Sequence, residues 1–179
     1  MVALRVLWLN GTVGAGKTTI GATVAERLAN KGEAVAFIDT DALGDLSPRP
    51  ADDPFNTRLV AKNLSAVASN FADAGARTLI VAGVIQTEGD LELYERAVRA
   101  PITLVRLVVP PTELELRLHQ RHGEIDPDGL RWHADRAPTL AAILDRSELR
   151  MLTVTNLGHP NDTARAVLAA AEWESRDAH

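Results

Sequence analysis

The segment Gly11-Thr12-Val13-Gly14-Ala15-Gly16-Lys17-Thr18-Thr19 constrains this chain more than any other, because it matches G-x-x-x-x-G-K-[ST] in full. Each residue type has a physical task there. Glycines accept backbone angles closed to other residues, so successive N–H groups can converge on one anion. A helix begun at Lys17 aims the positive end of its dipole at the same point. The apolar run before the motif, Ala3 to Leu9, reads as a buried strand. Behind it, Ile20, Val24 and Leu28 recur every four residues in a helix from Lys17 to Lys31, which Gly32 stops. A glycine-rich turn between strand and helix is the setting in which such a motif grips phosphate. Residues 11–19 are therefore expected to hold a nucleoside triphosphate, with Lys17 on the β- and γ-phosphates and the Thr18 hydroxyl on magnesium.

The rest of the chain alternates in the same rhythm. Ala34 to Ile38 reads as a second strand, ending at Asp39-Thr40-Asp41. The stretch from Ala42 to Pro54 carries three prolines and reads as a loop. Phe55, Leu59, Leu64, Val67 and Phe71 then mark a long amphipathic helix closed by Gly75. Further strands are expected at Leu79 to Val84, Ile102 to Val109 and Leu149 to Thr155, with a short helix from Leu91 to Val98. Thr112 and Glu115 form a T-x-x-E capping pattern, which predicts a helix from there to about His122. Residues 123–138 are polar and rich in turn formers, notably Asp126-Pro127-Asp128-Gly129, so a loop is expected before a helix at Leu140 to Asp145. Asn161 or Asp162 caps a last helix running through Trp173. This alternation predicts right-handed βαβ units and an α/β fold: a five-stranded parallel sheet with helices on both faces, in a single domain over 1–179.

Composition narrows the setting. The 179 residues are 46% hydrophobic and 24% charged, ordinary for a globular chain, and the absence of cysteine removes disulfides and thiolate chemistry. A net charge of -5 argues against nucleic-acid or anionic-membrane partners. The first apolar run is cut by Gly11 too early for a signal peptide or membrane helix, so a cytoplasmic location is expected. The lysines are Lys17, Lys31 and Lys62, which leaves no late N/T-K-x-D motif for reading guanine.

A phosphate loop followed by a second strand ending in Asp39-Thr40-Asp41 resembles the small P-loop kinases of the nucleoside-monophosphate-kinase-like superfamily. Adenylyl-sulfate kinase, shikimate kinase and gluconate kinase are the nearest comparisons, and the chloramphenicol phosphotransferase and zeta-toxin type is more distant. The resemblance runs loosely over the whole chain, with the phosphate loop as its one specific motif. It implies ATP and Mg2+ as cofactors, a small-molecule acceptor, and a monomer or homodimer. It also implies an arginine-bearing lid over about 117–138, entered by Arg117 and Arg121, and an adenine-side edge at Thr155 and Asn156. Arginines near Arg58 bind an anionic acceptor in the resembling enzymes. The third strand ends in Gly83 where several nucleotide kinases carry aspartate; this is closer to shikimate-kinase-like enzymes, whose backbone approaches the substrate there, and disfavours a nucleoside monophosphate.

Phosphoryl transfer needs in-line positioning and charge neutralisation more than covalent help. Asp39 and Asp41 are two apart, so in extended chain their side chains face one side. Asp39 then suits magnesium and Asp41 the acceptor hydroxyl, unless Asp41 merely caps a turn. Arg117 and Arg121 are expected on the transferred phosphoryl group, the alternative being surface pairing with Glu113, Glu115 or Glu124. The expected activity is phosphoryl transfer from ATP to a hydroxyl group, adenylyl-sulfate-kinase-like. A regulatory ATPase or nucleotide switch with a protein partner is the competing expectation.

Overall fold

The computed structural model describes residues 4–122 and 127–173; within them, the side chains of 121, 122, 127–130 and 132–135 lie outside the description. Five strands form one sheet: β1 (Arg5–Asn10), β2 (Val35–Asp39), β3 (Thr78–Ala82), β4 (Ile102–Val108) and β5 (Leu152–Thr155). Their order is β2-β3-β1-β4-β5, and every pairing is parallel. The helices are α1 (Lys17–Ala29), α2 (Thr57–Asp73), α3 (Glu88–Val98), α4 (Pro111–His122), α5 (Pro127–Arg146) and α6 (Pro160–Ala170). None of the described helices is long and apolar enough to cross a membrane.

Alternation along β1 divides the core in two. Val6 and Trp8 face α2 and α3, where they meet Val60, Leu64, Tyr94 and Val98. Leu7 and Leu9 face α1 and α6, where they meet Ile20, Val24, Leu28, Ala164 and Leu168. Strand periodicity of two sends neighbouring side chains to opposite faces, and a central strand covered on both must be apolar throughout. The helical series Ile20, Val24 and Leu28 is fully buried, as its spacing predicts. Burying each such side chain contributes about 1.5–3 kcal/mol. Trp8, wholly buried, stacks on Tyr94 with ring centroids 4.7 Å apart. Trp173 packs within the chain, under the Arg5 guanidinium at 4.5 Å.

Several local expectations change. Phe55 precedes α2 and Phe71 is exposed, because the helix buries Val60, Ala61, Leu64 and Ala68 instead. Its N-terminus is capped by the buried Asp53, which accepts from the N–H groups of Thr57 (2.7 Å) and Arg58 (3.0 Å). Helix α3 begins earlier than expected, at a capping box between Thr87 and Asp90. Helix α4 starts at Pro111, so Thr112 lies inside it and does not cap it. The last helix is capped by His159, whose ring nitrogen accepts from the Asn161 N–H, and begins with Pro160. The largest correction is α5: from 127 onward a single helix replaces both the expected loop and the short helix after it, while residues 123–126 of that expected loop lie outside the described residues. Pro127 opens it, a position where the missing N–H costs nothing, and Pro138 is carried inside it.

Candidate functional site

The loop between β1 and α1 forms the centre of the site. Gly14 and Gly16 adopt φ of 78° and 87°, and α1 begins immediately after Gly16. A Cβ on Gly14 would strike Leu114 of α4 at 2.8 Å, so glycine there permits both the turn and the helix packed behind it. Lys17 Nζ donates to the carbonyls of Gly11 (3.1 Å) and Thr12 (3.0 Å), folding the ammonium back over the loop. Thr18 and Asp39 meet: the hydroxyl donates to the carboxylate at 2.6 Å. Two hard oxygen donors at the end of β2, beside a helix N-terminus, are the donor chemistry that magnesium selects. The other Asp39 oxygen accepts from the Asp41 N–H at 3.0 Å.

A cleft of about 590 Å³ opens from this loop. Val13, Gly14, Gly16, Lys17, Thr18 and Thr19 line one end, with Asp39 and Asp41 beside them. The other end is made by Asp45, Arg49, Phe55, Gln86, Asp90, Tyr94 and Arg136. Of the remaining expected loop residues, Gly11 and Ala15 are buried within the turn and Thr12 lines a separate cavity. That cavity, about 560 Å³ and mainly apolar, lies between the end of β4, α4 and α5.

The two aspartates do not share a strand face. Thr40 takes helical angles (φ -73°, ψ -18°) and Asp41 opens a single 3-10 turn, Asp41–Leu43. Both carboxylates nevertheless reach the cleft, by the turn and not by strand alternation. Gly83 lies off the cleft lining: a Cβ there would collide with the Thr40 hydroxyl and lie 2.8 Å from the Trp8 ring. Packing against Thr40 and Trp8 is by itself enough to require glycine at this position. Arg58 also lies off the lining, in an exposed ion pair with Asp52 at 2.6 Å. Arg49 is the arginine of that region that enters the cleft.

Arg117 is not among the residues lining the cleft, although its guanidinium lies beside the loop, 3.8 Å from where a Cβ on Gly16 would sit. Its Nε donates to Glu113 at 2.8 Å and its Nη2 to the Asn156 carbonyl at 3.1 Å, the helix pairing that was the alternative for it. The Arg121 side chain lies outside the described residues. Among the described residues, Arg136 of α5 is the lid-region arginine in the cleft, its guanidinium 4.9 Å over the Phe55 ring. Tyr94 has its phenol pushed well above the ordinary range, first by burial and then by the charges of Asp90 and Asp53. It therefore stays protonated and is no base.

Two buried asparagines were not singled out from the sequence as holding the loop. Asn10, wholly buried, accepts from the N–H groups of Gly11 (2.9 Å) and Ile85 (3.2 Å) and donates to the Ile85 carbonyl (2.8 Å). Asn156 donates to the Ala15 carbonyl at 2.8 Å. Their partners lie far away in sequence, so no local pattern announces them.

Comparison with known proteins agrees with this geometry. No curated protein matches the sequence. Among solved structures, a gluconokinase from Sinorhizobium meliloti 1021 is 20% identical with a TM-score of 0.64, covering 94% of this chain and 91% of that one. A shikimate kinase from Bacteroides thetaiotaomicron is 21% identical, with a TM-score of 0.62 over 95% and 99% of the two chains. The Mycobacterium tuberculosis APS kinase, solved with AMPPNP and APS, is 21% identical, with a TM-score of 0.59 over 96% and 99%. These likenesses establish the fold, that of the small P-loop kinases. Residues 7–129 match a family described as AAA domain, a span from the first strand through the phosphate loop to the start of α5, and the chain belongs to that family.

Proposed function

We propose that this protein is an ATP- and magnesium-dependent phosphotransferase that moves the γ-phosphate to a hydroxyl of a small molecule. The observation that carries the reading is the cleft itself. One cleft joins the phosphate loop and the Thr18–Asp39 pair to Asp41, Arg49, Phe55, Gln86 and Arg136, and in this reading the latter residues wall a second compartment, for the acceptor. A nucleotide switch needs the first compartment and has no use for the second.

In this reading Lys17 leaves the carbonyls of Gly11 and Thr12 for phosphate oxygens, and the loop N–H groups bind the β-phosphate. Thr18 and Asp39 hold magnesium, which when bound neutralises charge on the phosphate oxygens. Asp41, at the junction of the two compartments, orients the acceptor hydroxyl and takes its proton on a carboxylate oxygen. Arg49 and Phe55 position the acceptor, and Arg136 closes the cleft from α5 and supplies positive charge, the part first assigned to Arg117 and Arg121. The gluconokinase, shikimate kinase and APS kinase of similar fold support small hydroxylated acceptors as the class.

The test is magnesium-dependent ADP release from ATP, first with protein alone and then with pools of hydroxylated metabolites. Stimulation by a pool is expected, and dividing that pool identifies the acceptor. Tight ATP binding with no stimulation by any pool overturns the reading in favour of a regulatory ATPase.

A further inference from the structure

Asn156 follows β5 and is 4% exposed. Its side-chain amide is gripped at both ends. Nδ2 donates to the Ala15 carbonyl at 2.8 Å, and Oδ1 accepts from the Thr163 hydroxyl of α6 at 2.9 Å. A carbonyl oxygen can only accept, so the nitrogen end must face Ala15, and the Thr163 hydroxyl satisfies the oxygen end. Its backbone is fixed as well: the N–H donates to the Val108 carbonyl at 2.8 Å, and the carbonyl accepts from Arg117. Gly16 makes the approach possible, since a Cβ there would lie 2.5 Å from Nδ2.

In a trans peptide the carbonyl of one residue and the N–H of the next point in opposite directions. Drawing the Ala15 carbonyl toward Asn156 therefore aims the Gly16 N–H the other way. Gly16 is also one of the residues lining the nucleotide end of the cleft. A peptide turned over at this position would present a carbonyl dipole to an anion.

We infer that Asn156 is a positioning residue of the phosphate loop, anchoring the Ala15 carbonyl so that the following N–H is directed at the bound phosphate, with Thr163 holding the far end of its amide in place. The inference rests on the reading that this loop binds a nucleoside triphosphate. It gives Asn156 a phosphate-side task, distinct from the adenine-side edge expected of this strand end.

Affinity for two probes, Mg-ATP and magnesium with inorganic triphosphate, measured by calorimetry on the full chain, decides the matter. Asn156→Asp sets a carboxylate against the Ala15 carbonyl. It is expected to weaken both probes by a similar factor, about tenfold or more, in a chain that still melts cooperatively. Thr163→Val keeps the shape but leaves Oδ1 without its donor and so loosens the anchor, and is expected to weaken both by a smaller equal factor. Should Asn156→Asp fail to fold, Thr163→Val carries the test. Loss confined to ATP, with triphosphate unaffected, would show contact with the base and overturn the inference. A lowered melting temperature with unchanged affinity for both overturns it too, as a purely structural role. If the unaltered protein binds neither probe, the nucleotide reading itself fails and takes this inference with it.

Discussion

The two ends of the cleft are built on different principles. The phosphate end is built around a short glycine-rich turn, held by two buried asparagines that are hydrogen-bonded at both ends of their amides. The acceptor end consists of side chains on irregular chain, α3 and α5, with the buried Tyr94 behind and Asp41, Arg49 and Phe55 all exposed. Phosphate is the same in every nucleotide, so a rigid cradle of N–H groups suits it. An acceptor differs from enzyme to enzyme, and surface side chains can be exchanged without disturbing the core. The structure thus separates what must be shared from what can vary.

That contrast can be broken at either end. Lys17→Ala should lower acceptor-dependent turnover by about a hundredfold to a thousandfold or more while leaving the melting temperature close to that of the parent. Turnover that survives this change would remove the phosphate end from the chemistry. Gly83→Ala forces a methyl against Thr40 and Trp8, and should cost about 1–3 kcal/mol in denaturant titrations. An unchanged stability with a raised acceptor KM would instead return Gly83 to the substrate.

Tyr94 offers a reading of how dry the wall of the acceptor end is. It is the single tyrosine of the chain, so tyrosinate absorbance reports it alone. Its raised pKa means the folded chain keeps the proton above about pH 10, where the unfolded chain loses it. Stability on this account is intact below pH 10 and declines as pH rises beyond it. No tyrosinate signal is expected until the chain unfolds; ordinary titration near pH 10 in the folded protein would contradict the burial.

The acceptor end should respond in KM and not in stability. Phe55→Ala removes an exposed ring and its Arg136 partner, and should raise the acceptor KM severalfold, leaving the ATP KM alone. Equal changes in both would mean the compartments are not separate. Smallest of all, Arg58→Ala breaks an exposed ion pair worth about 0–1 kcal/mol and should leave kinetics and melting essentially unchanged. A marked rise in acceptor KM there would restore the role that resemblance first suggested for it.

The sequence exposes some of this design and hides the rest for definite reasons. The phosphate loop, the α1 stripe and all five strands were readable because each is set by residues adjacent in the chain. Helix α5 was obscured by Pro127 and Pro138, residues that break helices in general but are tolerated at a first turn or within a packed helix. The shared strand face of Asp39 and Asp41 was an assumption about extended chain, and Thr40 ends that extension. The hold of Asn10 and Asn156 on the loop was hidden for a different reason, although Asn156 itself was noted at the adenine-side edge. A polar residue beside an apolar run carries no signal of its partner when that partner lies 75 or 141 positions away.

The parallel order of the sheet also sets a timetable for synthesis. Strand β1 leaves the ribosome first, yet its neighbours are β3 and β4, with Val6 paired to Leu79 on one side and Ile102 on the other. A nascent chain that has just displayed its glycine-rich motif has nothing to hold it in shape. The cradle must wait until β4 has emerged, and its Asn156 anchor arrives later still. Until then the apolar segment Val6 to Leu9 lacks one or both of the neighbouring strands that cover it in the finished sheet.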